Sequence, residues 1–206
     1  MVIAFFLGLG LSFIGSVPPG IINTSVVYIT LYRGRRNALI MAAGAAIIEW
    51  VQAYAAAILG RRLADYPKID FWFNLLATIV FVVLSIYYFR FAHPYRQLPN
   101  TTTNLQPHYP FIQGMSIAAI NFLAIPYWTF YTTWLLANNH LHDDGLTLSI
   151  FASGVMIGTF GLLWLYAAWA EWLKRHATAW LRYTHITIGW IFAALAIIQI
   201  FKLARG

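Results

Sequence analysis

The stretch ALIMAAGAAIIEWVQAYAAAILG, residues Ala38–Gly60, is an apolar run with a single charge, Glu49, at its midpoint. A bilayer-spanning helix takes roughly 20 apolar residues, and the run lacks the alternation of an outer-membrane strand. It therefore reads as a transmembrane helix carrying a carboxyl near mid-membrane. A bare charge at that depth costs at least about 2.5 kcal/mol on insertion scales, so the group must hold a proton, be hydrogen-bonded or line a wet cavity. Helical spacing gathers Ala42, Ala45, Ala46, Gln52, Ala53 and Ala56 on the side of Glu49, with Ile40, Ile47, Val51, Tyr54 and Ile58 on another. The small side lets a neighbouring helix approach or leaves room for a substrate. No Lys or Arg lies mid-span to neutralise the carboxyl. A desolvated group is expected, poised to bind a proton or an ammonium group.

The rest of the chain repeats the membrane signature. Of 206 residues, 61% are hydrophobic and 9% charged, against roughly 25% charged in a soluble domain. At roughly 20 apolar residues per span this composition allows about six spans. The other five are predicted at Met1–Tyr32, Phe71–Phe91, Phe111–Ala137, Leu146–Trp169 and Tyr183–Leu203. The first has no Lys, Arg, Asp or Glu and lacks the basic leading region of a secretory signal, so it reads as an uncleaved helix. The net charge of +7 is dispersed in small basic groups between the apolar runs, which reads as topology and lipid-headgroup contact, not nucleic-acid binding. Their distribution by the positive-inside rule predicts both termini outside the cytoplasm. Trp72, Trp169, Trp172 and Trp180 near span ends suit an interfacial aromatic belt.

Residues 93–110, with Pro94, Pro99, Pro107 and Pro110, read as the longest loop, dividing 1–92 from 111–206 within one transmembrane domain. Three spans per half is an odd number, so two halves of one fold would sit upside down relative to each other. The fold class expected is an all-α membrane protein of six transmembrane helices in two inverted three-helix repeats. The first helix of each half is expected to be interrupted by proline, at Pro18 and Pro19 in one and at Pro126 in the other.

Gly8, Ser12, Gly15, Ser16, Pro19 and Asn23 form a small, polar stripe that should face protein. The break after Val17 would leave the amides at Gly20 and beyond as the positive end of a half-helix, suited to a substrate carboxylate. Gln113, Asn121 and Pro126 put polar groups beside the second break, while Asn74, Thr78 and Ser85 on the third span and His185, Gly189, Ala196 and Gln199 on the sixth read as interhelical glue. The loop residues His140, His142, Asp143 and Asp144 could take a divalent metal by ligand type, but their crowding without helical spacing favours a solvated turn. There are no cysteines, no phosphate-binding loop and no Ser, His, Asp constellation, so no enzyme and no cofactor are expected.

Gly15-Ser16-Val17-Pro18-Pro19-Gly20, then Arg33-Gly34-Arg35-Arg36 and Ala43-Gly44, resemble the opening of lysine-exporter (LysE-type, RhtB-like) translocators. Phe111-Ile112-Gln113-Gly114, Asn121 and Ala124-Ile125-Pro126-Tyr127-Trp128 resemble that family's glycine, asparagine and proline signature. The order Pro-Pro-Gly stands where the family has Pro-Gly-Pro, and Asn121-Phe122 where it has Asn-Pro. The resemblance implies export of amino acids or related small metabolites across the bacterial cytoplasmic (inner) membrane.

The expectation is thus a secondary exporter of small amino-containing metabolites driven by proton antiport. Substrate contacts are expected at Pro19, Gly20, Asn23, Glu49, Gln52, Asn121 and Pro126, with Glu49 also the proton-coupling group. Its partners are a small-molecule substrate and the lipid bilayer, with no nucleic acid and with a homo-oligomer left open. A divalent-metal exporter and a non-transporting membrane scaffold subunit are the alternatives.

Overall fold

The computed structural model describes residues 1–17, 20–64, 69–90, 109–121 and 124–172, and further on 186, 189–190, 193–194, 196–198 and 200–201. These residues are helical or connecting, with no strand among them. In chain order the helices are α1 Val2–Gly15, α2 Ile21–Arg33, α3 Arg35–Ala64, α4 Ile69–Arg90, α5 Pro110–Ala119, α6 Ala124–Ala137 and α7 Gly145–Ala168. Predicted positions that fall outside the described residues include Pro18, Pro19, most of the central loop, His185 and Gln199, as do the side chain of Asn74 and residue Trp180.

Among the described residues two helices, α3 and α7, are long and apolar enough to cross a membrane, and the pair α5 and α6, bent by 66°, makes a third if taken as one broken span. With 30 residues, α3 is about 45 Å long at 1.5 Å per residue, longer than a hydrocarbon core of roughly 30 Å. The first predicted span is also split, into α1 of 14 residues and α2 of 13, neither of which is long enough to cross alone.

The chain divides into two compact units, Met1–Tyr66 with Pro107–Glu171 and Pro67–Gln106 with Trp172–Gly206. Each unit takes sequence from both sides of the central loop. In the first, α2 turns into α3 at Gly34, whose φ of 85° suits glycine alone among ordinary residues. Its amide caps α2 by donating to the Thr30 carbonyl at 3.2 Å.

Two glycine-mediated crossings hold this unit together. A methyl group at Gly8 would strike the Phe151 carbonyl, and one at Gly154 the Phe5 carbonyl, so α1 and α7 touch backbone to backbone. In the same way Gly44 faces the Phe111 carbonyl and Gly114 the Met41 carbonyl, joining α3 to α5. Each of the four helices thus offers a bulky residue followed three positions on by glycine, and each crossing is reciprocal. Approach this close is what small residues permit between membrane helices, where packing and Cα–H···O contacts replace the hydrophobic effect.

The long α3 carries the predicted two faces. Ala42, Ala45, Ala46, Ala53 and Ala56 are buried against neighbouring helices, whereas Ile40, Ile47, Val51 and Ile58 are exposed; Tyr54, expected among the latter, is instead half-buried against the core and stacked on Trp50. In the second unit the Ser85 hydroxyl donates to the Gly189 carbonyl at 3.2 Å, and the Phe89 ring stands edge-on to Trp190. Ser85 and Gly189 therefore act as the glue expected of them.

The second half is interrupted as expected, α5 ending at Ala119 and α6 starting at Ala124 with a bend of 66°. Pro126 sits in the first turn of α6, where its missing amide would be unpaired in any case and from where it could not continue a helix from the preceding turn.

Candidate functional site

Glu49 lies halfway along α3, half-buried at a junction of α1, α3, α6 and α7. The Thr159 hydroxyl of α7 donates to Glu49 Oε2 at 2.6 Å, a length typical of a bond to a charged or strongly polar oxygen. Thr159 is in turn 2.7 Å from the Ser12 hydroxyl of α1. Trp128 of α6, 1% exposed, turns its indole N–H toward the same carboxyl without closing a hydrogen bond of full geometry. The alanine face makes this convergence possible, because Ala45, Ala46 and Ala53 leave no bulk between α3 and its neighbours. A little further along α3, the Trp50 indole donates to Ser153 of α7 at 3.2 Å.

The first break is closed by side chains. The Asn23 amide donates to the Ser16 carbonyl at 2.8 Å, and the Tyr166 hydroxyl of α7 donates to the Val17 carbonyl at 2.8 Å. One turn earlier the Tyr127 hydroxyl of α6 donates to the Leu11 carbonyl at 3.2 Å and lies over Gly15. Carbonyls that lose their helical partners at a proline-rich interruption must find donors elsewhere, and here Asn23 and Tyr166 supply them at Ser16 and Val17, while Tyr127 adds a second donor to a carbonyl inside α1. On the far side, α2 starts at Ile21 behind Gly20, whose N-cap position has no side chain to cover the first amides. That leaves them as the anion-favouring end expected from the sequence.

Of the predicted contact residues, the structure brings Glu49 into the helix junction and puts Asn23 and Gly20 at the first break. Gln52 donates to the Ala118 carbonyl at 3.1 Å and so ties α3 to the end of α5 beside the second break. Asn121 and Pro126 are exposed at and just beyond that break. Thr159, Trp128, Tyr127 and Tyr166 were missed as site residues. The available signal was chemical: a mid-span carboxyl and orphaned carbonyls need hydroxyl donors, and Thr159 and Tyr166 are among the few in the fifth span.

The loop considered for metal has other employment. Asp144 caps α7 by accepting the Thr147 amide at 2.8 Å, and hydrogen bonds from the Thr147 hydroxyl and amide hold its carboxyl below the ordinary aspartate range. Asp143 pairs with Arg61 at the end of α3, and His140 lies against the Trp134 ring. Among the described residues no three His, Asp or Glu side chains converge as a metal site would require. Comparison with models of known families, with characterised proteins and with solved structures gives no match, so the functional reading rests on the site itself.

Proposed function

We propose that the protein is a secondary exporter of amino acids or related small amino-containing metabolites across the bacterial cytoplasmic membrane, coupled to proton entry. The observation that carries this reading is the Glu49 junction: a lone carboxyl midway along a membrane-length helix, half-buried and hydrogen-bonded to Thr159. An ionisable group at such depth is expensive unless function requires it. In the proposed cycle Glu49 binds the substrate ammonium on one side of the membrane and exchanges it for a proton on the other. The uncapped amides after Gly20 receive the substrate carboxylate, while Asn23 and Gln52 hold the two helix breaks in shape.

Alternating access would run between two inverted three-helix halves. The paired glycine crossings support this, since α1 meets α7 through Phe5, Gly8, Phe151 and Gly154 just as α5 meets α3 through Phe111, Gly114, Met41 and Gly44. A two-fold relation between the halves generates such a reciprocal pattern. The resemblance to lysine-exporter translocators points the same way.

The test uses purified protein in liposomes loaded with a mixed amino-acid pool. An imposed pH gradient should drive amino-acid efflux from wild-type vesicles, and Glu49→Gln should abolish the dependence on the gradient. Absence of flux in wild-type vesicles under every gradient would overturn the transport reading, and gradient-dependent export by Glu49→Gln would remove Glu49 from it.

A further inference from the structure

Glu49 ends a chain of oxygens that leaves α3, passes through α7 and enters α1. Ser12 and Thr159 are 1% and 2% exposed, and the two links measure 2.7 Å and 2.6 Å. Each hydroxyl has one hydrogen to donate, which fixes the direction of the chain when the carboxyl is ionised and lets it reverse when the carboxyl is protonated. When Glu49 is ionised it can only accept, so Thr159 donates to it and must accept from Ser12. When Glu49 is protonated its own O–H can donate to Thr159, Thr159 then donates to Ser12, and the Ser12 hydrogen is released to another acceptor. Neutralising Glu49 takes up one proton from outside the chain of hydroxyls. Within the chain the O–H hydrogens are only re-aimed, and no covalent bond of Ser12 or Thr159 is broken.

Ser12 stands in the last turn of α1, where its carbonyl accepts the Ser16 amide at 2.9 Å, and Ser16 passes its own carbonyl to Asn23. Ser12 thus stands one turn before the interruption. Competing groups around the junction are few. Helices α1 and α5 carry no titratable side chain, and α7 carries Tyr166 alone, engaged with Val17. Helix α6 carries Tyr127, engaged with Leu11, and Tyr131 beside it. Tyr28, Tyr32 and Arg33 belong to α2. On α3 itself Tyr54 stacks on Trp50, and the arginines 35, 36, 61 and 62 lie in its end turns.

We infer that Ser12 and Thr159 are positioning residues that carry the protonation state of Glu49 to the break between α1 and α2. The inference rests on the reading of Glu49 as the coupling carboxyl. The chain contains no cysteine, so a nitroxide attached at Ile21→Cys, an exposed position opening α2, reports on the break without further engineering. In phosphatidylethanolamine and phosphatidylglycerol vesicles the label's spectrum should change as the pH is taken from alkaline to acid. That change should vanish in Glu49→Gln, Thr159→Val and Ser12→Ala, and return in Thr159→Ser, which restores the hydroxyl. If Glu49→Gln abolishes the change while Thr159→Val and Ser12→Ala keep it, the relay is wrong and the coupling carboxyl stands. If Glu49→Gln keeps the change, or wild type shows none, both ideas fail.

Discussion

Asp143 and Asp144 are neighbours with separate partners, and their substitutions should separate accordingly. Asp144 is a helix cap whose carboxyl lies below its ordinary range, so its contribution to stability is present above the ordinary aspartate value and disappears as pH falls through the lowered one. Asp144→Ala should lower the thermal midpoint at neutral pH, and the gap to wild type should close in acid, as followed by thermal unfolding across a pH series. Arg61→Ala breaks a pair whose side chains are 48% and 55% exposed, and such pairs are worth roughly 0–1 kcal/mol. Its midpoint should scarcely move. At this scale the sequence was informative about Glu49 and the alanine face around it, because a charge in an apolar run and a helical period are both local patterns. Thr159 was not legible, since its partners Glu49 and Ser12 come from distant segments and a threonine in an apolar helix has no distinctive surroundings.

Glycines within one helix divide by what faces them. On α7, Gly154 meets the Phe5 backbone and Gly161 meets nothing. Gly154→Ala should separate α1 from α7 and cost about 1–3 kcal/mol, whereas Gly161→Ala should be neutral or gain up to about 1 kcal/mol through helix propensity. Unfolding in detergent by a graded denaturant would rank them. The long spans were readable as elements because apolar length alone marks them, and the predicted ends of the second and fifth fall within a few residues of α3 and α7. The second interruption was legible too, because a proline cannot carry a helix on from the preceding turn and Pro126 stands in the first turn of α6.

For the molecule as a whole, the reciprocal glycine contacts set what can move. Helices whose main chains touch through interlocked glycines have little freedom to slide, so α1 with α7 forms one slab and α3 with α5 another. If the halves are related as proposed, Gly8→Ala and Gly114→Ala should weaken the protein to a similar degree, as should Gly44→Ala and Gly154→Ala, measured as paired shifts in thermal midpoint. The two pairs meet along the seam between α3 and α7, crossed by the Glu49 to Thr159 and Trp50 to Ser153 bonds and by Arg35 over the Trp164 ring. A reducible dithiol-reactive crosslinker across that seam, between cysteines introduced at Trp50 and Ser153, should arrest flux in liposomes and release it on reduction. The carboxyl sits where two glycine-locked helix pairs abut, so a change in its charge acts on their shared boundary.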